Sequence, residues 1–311
     1  MAFSLIEPLV IGISSRALFD LEEENRIYER EGLAAYEAYQ VRHENDVLRP
    51  GAAFPLAQAF LALNRLQDEQ LVEIIIMSRN SPNTSLRIFR SVQEYGLDIS
   101  RAALSGGEAI APYLKSYETD LFLSANADDV QQAIDAGVAA GVILPGNLPE
   151  NPRRGLDQIR IAFDGDAVLF ASDSERIFQR EGIDAFFENE QTMADVPLRE
   201  GPFAPFLRTL AHIQSLFADR EETPIRTALV TSRNAPAHER PIKTLRAWGV
   251  RVDEAYFLGG APKAPVLDAF GAHIFFDDQR AHAEPASKVV PSAVVPYKAG
   301  EDPMNSQTET R

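Results

Sequence analysis

The chain repeats itself, and that repeat limits its fold more than any other feature. Residues 26–36, RIYEREGLAAY, lie over residues 176–186, RIFQREGIDAF, at a spacing of 150 without a gap. At the same spacing Leu48-Arg49 match Leu198-Arg199, Gly51 matches Gly201 and Pro55 matches Pro205. Further along the spacing drifts to 153 or 154: MSRNSP (77–82) matches TSRNAP (231–236), and LFLSAN (121–126) matches IFFDDQ (274–279). Such drift falls between elements, where surface loops tolerate insertions. Collinear similarity over most of the length predicts two copies of one unit, and repeats of this kind decide the fold before any local pattern does.

Each copy alternates short apolar runs with amphipathic stretches. The runs of the first are 9–13, 73–77, 102–105, 120–124 and 141–145. Those of the second are 158–163, 227–231, 255–259, 273–276 and 292–297. Continuous apolar strands separated by helices predict parallel sheets covered on both faces. The expected architecture is therefore α/β, with two tandem Rossmann-like domains over 1–147 and 148–300. PGNLPENPRRG (145–155) reads as the linker between them. Residues 301–311 are poor in apolar side chains and read as a disordered tail. About 60 residues separate the first strand from the second in each copy, far more than one crossover helix needs. In the second copy the excess, about 174–204, predicts a helical cap above the carboxyl ends of the strands.

Composition narrows the class. The 311 residues are 45% hydrophobic and 24% charged, with no cysteine and a net charge of −16. This excludes thiolate chemistry and argues against a nucleic-acid partner. The sequence offers no membrane-length apolar run and no basic, apolar leader. The expectation is a cytoplasmic protein with a small-molecule substrate. A locally positive pocket for an anion is compatible with an acidic chain.

Ligands of open α/β sheets bind beyond the carboxyl ends of the strands, and the second copy puts polar residues at four such ends. Asp164 and Asp166 follow the first strand in IAFDGDAVLF, Thr231 ends the second, Lys263 follows the third, and Asp277-Asp278 follow the fourth. Alternate residues of an extended segment point the same way, so Asp164 and Asp166 can share one site. Clustered carboxylates without histidine or cysteine suit a hard cation, Mg²⁺ above all. Thr231 can donate to a phosphate and Lys263 can hold its charge. Arg233 and Asn234 recur as Arg79 and Asn80 in the first copy, so a structural role competes with substrate contact.

In the first copy Ser14 stands where Asp164 stands, Arg16 for Asp166, Met77 for Thr231, Ile110 for Lys263, and Ser124-Ala125 for Asp277-Asp278. Its strands persist and its chemical groups are gone, so that copy is expected to be catalytically inert. Arg16 there reads either as an anion-binding residue or as a solvent-facing, ion-paired one.

DGDAV, Thr231, Lys263 and FFDDQ resemble the four motifs of the haloacid-dehalogenase-like phosphotransferases. The longer phrases RIAFDGDAVLFASDSERIF, GPFAPFL, LVTSR, KTLRAWG, LGGAPKAPVL and HIFFDDQ resemble the cytosolic 5′-nucleotidase type I family, from about Ile11 to Tyr297. That resemblance implies Mg²⁺-dependent hydrolysis of nucleoside 5′-monophosphates on a haloacid-dehalogenase-type fold, with homo-oligomers possible. Carried over by position, Asp164 is the nucleophile and Asp166 the general acid and base. Thr231, Ser232 through its backbone, and Lys263 bind phosphate. The metal takes Asp164, the Asp166 carbonyl, and one or both of Asp277 and Asp278. The residues alone leave two alternatives: a phosphatase for another phosphomonoester such as a sugar phosphate, and a non-catalytic nucleotide-binding protein.

Overall fold

The computed structural model describes residues 7–145 and 155–303. Most of the linker (146–154) and of the tail (304–311) lies outside the described residues. Residues 301–303, expected to begin the unstructured tail, are packed: Ser172 Oγ donates to the Glu301 carbonyl at 2.9 Å, and Pro303 is buried.

The strands of the first half are β1 (Leu9–Ile13), β2 (Val72–Ser78), β3 (Arg101–Leu104), β4 (Leu121–Ser124) and β5 (Ala139–Ile143). Those of the second are β6 (Ile159–Phe163), β7 (Ile225–Thr231), β8 (Glu254–Phe257), β9 (Ile274–Asp277) and β10 (Ser292–Val294). Every residue of β1, β4 and β9 is buried, as central parallel strands require.

Where the repeat predicts a sheet in each half, the structure has one. Ten strands run in the order β3-β2-β1-β4-β5-β10-β9-β6-β7-β8. Neighbours pair in parallel except at the join, where β10 meets β5 antiparallel with Ala293 opposite Ile143 and Val294 opposite Val142. Each half alone would leave an inner edge of unpaired backbone groups, and the pairing removes both edges. Read outward from the join, the two halves have the same strand order. Gly141 permits the approach, because a Cβ there would lie 2.8 Å from the Ala293 Cβ.

In the first half the helices are α1 (Ser15–Leu18), α2 (Glu22–Glu31), α3 (Leu33–Arg42), α4 (Phe54–Leu63), α5 (Leu86–Glu94), α6 (Ala111–Leu114) and α7 (Ala127–Asp135). The second has α8 (Asp173–Glu181), α9 (Ile183–Thr192), α10 (Ala204–Ser215), α11 (Glu239–Ala247), α12 (Ala264–Phe270) and α13 (Arg280–Ala286). The expected cap over 174–204 is the pair α8–α9 and the loop after it; α2–α3 occupy the same place in the first half. Gly32 and Gly182, with φ of 84° and 86°, make the turn within each pair.

Equivalent ties hold each cap insert to its half. Leu48 N–H donates to Ser91 Oγ at 2.9 Å, and Leu198 N–H donates to Thr244 Oγ1 at 3.0 Å. One loop differs in length. Gly51 N–H donates to the Leu18 carbonyl, and its counterpart Gly201 donates to the Leu169 carbonyl. The glycines are 150 positions apart and the leucines 151, so the loop after β6 carries one more residue than the loop after β1. The extra length is taken up by Ala167, a left-handed non-glycine residue with φ of 61°. Arg16 and Asp166 therefore sit in differently built loops: the first is in a helical turn, the second in a non-helical turn closed by the bond from Phe170 N–H to the Gly165 carbonyl.

Candidate active site

Loop and strand ends bring most of the predicted residues to the carboxyl edge of β6, β7 and β9. Asp164 is fixed by its own backbone, whose N–H donates to the Phe276 carbonyl on β9 at 2.8 Å. Its Oδ1 accepts from Gly165 N–H at 2.7 Å and from Lys263 Nζ at 3.0 Å. Lys263 directly precedes α12, is 4% exposed, and also reaches Asp277 Oδ2 at 2.7 Å. Asp277 ends β9 fully buried, and its Oδ1 accepts from Gln279 N–H at 2.8 Å. Asp278 turns to Tyr297, whose hydroxyl donates to Oδ2. Thr231 ends β7 buried, and its Oγ1 accepts from Arg233 N–H at 3.2 Å. Ser232 beside it is exposed.

The electrostatics of this cluster are unbalanced. Three carboxylates, Asp164, Asp277 and Asp278, surround one ammonium. Burial pushes the Asp164 carboxyl up to about 7; Lys263 opposes the shift, and Asp277 and Asp166 add to it. Burial, with Asp164 and Asp277, likewise holds Asp278 well above the ordinary carboxylate value. Burial also works on Asp277, but His282 and Lys263 outweigh it and hold that carboxyl below its ordinary value. Burial opposes the charge of Lys263, and Asp164 and Asp277 outweigh it, so the ammonium persists.

Excess negative charge in a buried site is the condition under which a cation binds. Asp164, Asp277 and His282 offer ligand atoms within 4.8 Å of one another. The histidine is a correction to the oxygen-only set expected from sequence. His282 lies on α13 with Nδ1 3.6 Å from Asp277 Oδ1, beyond hydrogen-bond distance. Its counterpart in the first half is Asp129, and the 153-residue spacing that aligns the two was a signal that could have found it. The donor set fits a divalent cation.

Asp166 is engaged differently from its neighbour. Arg233 grips it side-on, with Nε to Oδ2 at 2.8 Å and Nη2 to Oδ1 at 2.7 Å. Arg233 Nη1 donates to Glu190 of α9. Burial opposes the guanidinium charge, and Asp166 and Glu190 outweigh it, raising Arg233 above its ordinary value. Of the two roles open to Arg233, the structure has the internal one. Glu190 and Tyr297 carry no motif and reach the site by long-range folding, so sequence reasoning missed both.

The equivalent place in the first half is filled and neutral. The strand register corrects one expectation: Ser78, not Met77, stands at the place of Thr231, because Ile76 pairs with Ile13 as Leu229 pairs with Phe163. Ser78 Oγ shares a hydrogen bond with Ser15 Oγ at 2.9 Å, and Ile110 is fully buried. Arg16 pairs with Glu22 at 3.3 Å at the surface.

A buried acid cluster with one lysine lies at the carboxyl edge of an α/β sheet, the place where such sheets bind their ligands. The sequence model of the 5′-nucleotidase family matches residues 1–302, and the chain belongs to that family. It is similar to the human protein named cytosolic 5′-nucleotidase 1B, with 41% identity over 291 residues. That match covers 90% of this chain and 47% of the relative, so the chain spans about half the relative's length. Among the described residues no helix is long and apolar enough to cross a membrane.

Proposed function

We propose that the protein is a Mg²⁺-dependent 5′-nucleotidase that hydrolyses nucleoside 5′-monophosphates through an aspartyl-phosphate on Asp164. The observation that carries this reading is the buried set Asp164, Lys263 and Asp277, in which one lysine bridges two carboxylates at 3.0 and 2.7 Å. A site for binding alone would not need a buried nucleophile beside a second carboxylate. Family membership supports the substrate class.

In the first step an Asp164 oxygen attacks phosphorus and the bond from phosphorus to the 5′-oxygen breaks. Asp166 supplies the proton that the departing 5′-oxygen takes up. In the second step water attacks the same phosphorus, gives its proton to Asp166, and releases Asp164 and inorganic phosphate. Thr231, the Ser232 backbone and Lys263 hold the phosphoryl oxygens, and this positioning carries much of the catalysis in phosphoryl transfer. Asp164, Asp277, Asp278 and His282, with the Asp166 carbonyl, are the groups that would hold the metal. A divalent cation bound there supplies positive charge beside the phosphoryl oxygens.

Residues 148–300 form the catalytic unit in this reading, and residues 1–147 a non-catalytic one derived by internal duplication. The common strand order and the matching ties at Ser91 and Thr244 support that descent.

The test is phosphate release from a panel of nucleoside monophosphates and sugar phosphates, with Mg²⁺ or with EDTA. Release from the nucleotides alone, abolished by EDTA and by Asp164→Asn, is expected. Preference for sugar phosphates would replace the substrate assignment. No release from any substrate would remove the enzyme reading.

A further inference from the structure

Asp166, Arg233, Glu190 and Arg240 form a chain of alternating charge that runs from the site to Glu190 of the cap and on to α11. Arg233 turns one edge to Asp166 and its remaining amino group to Glu190 Oε2 and to the Ala237 carbonyl. The ring of Phe186, one turn before Glu190 on α9, lies 5.2 Å from the guanidinium carbon. Glu190 Oε1 accepts from Arg240 Nη1 at 2.9 Å and from Ser174 Oγ on α8 at 2.9 Å. The Arg233 and Glu190 side chains are 3% and 0% exposed, against 17% for Asp166. Two positive and two negative charges balance, as burial demands.

A buried strut would show the same pairing. The comparison between halves separates a strut from a functional tie. At the place of Arg233 the first half has Asn80, whose N–H donates to Ser78 Oγ as that of Arg233 donates to Thr231 Oγ1. Arg79, one residue earlier, turns to Asp129 on α7 with bonds of 2.8 and 2.6 Å. At the place of Glu190 the first half has Gln40, bonded to Tyr36. The arginine, its bond to the loop after the first strand and the glutamate it meets occur together in the half that keeps its carboxylates. The buried cap glutamate of the first half, Glu24 on α2, pairs instead with Arg87 on α5.

We propose that Arg233 is the positioning residue for Asp166, and that Glu190 ties that position to the cap; this rests on the acid and base role given to Asp166 above. Two parallel N–H···O bonds fix both the place and the plane of the carboxyl group. In both steps that carboxyl must exchange a proton with an oxygen whose bond to phosphorus is changing. A displacement of about 1 Å costs on the order of 100-fold in such a transfer.

The experiment compares kcat/KM for a nucleoside 5′-monophosphate and for p-nitrophenyl phosphate. Both report transfer to Asp164, but only the alkoxide leaving group needs a proton; p-nitrophenolate leaves without one. Arg233→Lys keeps the charge and removes the fork. It is expected to lose about 30-fold on the nucleotide and under about threefold on the aryl ester. Glu190→Gln, which leaves the Arg233–Asp166 pair in place, is expected to show the same selectivity at about fivefold, and it carries the test if Arg233→Lys does not fold. Equal losses on both substrates, or none, in the folded variants overturn the positioning role. Asp166→Asn is the control. A selective loss there with uniform losses at Arg233 and Glu190 overturns this inference alone. A uniform loss in Asp166→Asn overturns the acid and base assignment and the inference with it.

Discussion

Tyr297 donates its hydroxyl hydrogen to Asp278, and the segment carrying Tyr297 is held by the opposite half of the molecule. Gln131 Nε2 on α7 donates to the Tyr297 carbonyl at 2.9 Å, and Asp135 at the end of that helix accepts from Ala299 N–H at 2.8 Å. The first half thus holds the backbone of the segment whose phenol reaches the acid cluster.

Replacing Tyr297 by Phe removes the donor and leaves Asp278 with one bond fewer beside Asp164 and Asp277. Partners behind metal-ligating carboxylates commonly change metal affinity by about 10–100-fold when removed. The Mg²⁺ concentration for half-maximal activity should rise at least about tenfold in Tyr297→Phe. The melting-temperature gain on adding Mg²⁺ should shrink in parallel. An unchanged Mg²⁺ titration would show that Asp278 stands apart from the metal.

The acid cluster also predicts a pH dependence. In the folded chain the Asp164 carboxyl is pushed up to about 7, against an ordinary value of 3.8. The folded state therefore binds this proton more tightly than the unfolded state does. The stabilisation is full below the ordinary value and is lost as pH rises toward 7. Asn at this position cannot ionise. In EDTA the melting temperature of Asp164→Asn should therefore gain on that of the unaltered protein between pH 5 and pH 8, by at least about 3 °C. Added Mg²⁺ should narrow the gap. A gap that shrinks with rising pH in EDTA would contradict the burial argument.

Lys263 is the one cation among three carboxylates, so Lys263→Met should act on stability and chemistry together. Removing one partner of a buried pair costs about 3–5 kcal/mol. Mg²⁺ should recover part of that loss, because it supplies the missing charge. Loss of a group that stabilises phosphoryl charge should lower kcat by about 100-fold or more even at saturating Mg²⁺. Denaturant melts with and without Mg²⁺, beside turnover rates, measure both effects. A variant equally stable in EDTA would mean that the ammonium is not needed to balance the cluster.

Much of this site was legible in the sequence because its carboxylates sit directly after apolar strands, where one-dimensional order dictates three-dimensional place. Asp164 and Asp277 follow or end β6 and β9, and those strands pair in register, with Phe163 opposite Phe276. What the sequence hid depends on contacts between distant segments. The Asp166–Arg233 bond spans 67 positions and the Gln131–Tyr297 bond 166. The gapless spacing of 150 also hid the longer loop after β6, because the chain returns to the same spacing by residue 176. The join of the halves rests on β10, a strand of three residues whose antiparallel partner nothing local announces.

That join makes a prediction of its own. A Cβ on Gly141 would meet the Ala293 Cβ at 2.8 Å and the Phe276 ring at 3.3 Å, and neither can move without shifting β10 or β9. Asp277 follows Phe276 directly, so a wedge at β5 is transmitted to the acid cluster. Gly141→Val should cost about 1–3 kcal/mol by overpacking. It should also weaken the Mg²⁺ response, though Gly141 touches no site residue. Gly12 on β1 is the control, for a Cβ there would meet the flexible Met77 Sδ at 2.6 Å and the Phe122 ring at 3.2 Å, crowding the core of the first half and not the strand that carries Asp277. Gly12→Ala should therefore cost stability and leave the Mg²⁺ response unchanged. If Gly141→Val melts like the unaltered protein, or if Gly12→Ala disturbs the Mg²⁺ response more, the pairing of β5 with β10 is not what aligns the acid cluster.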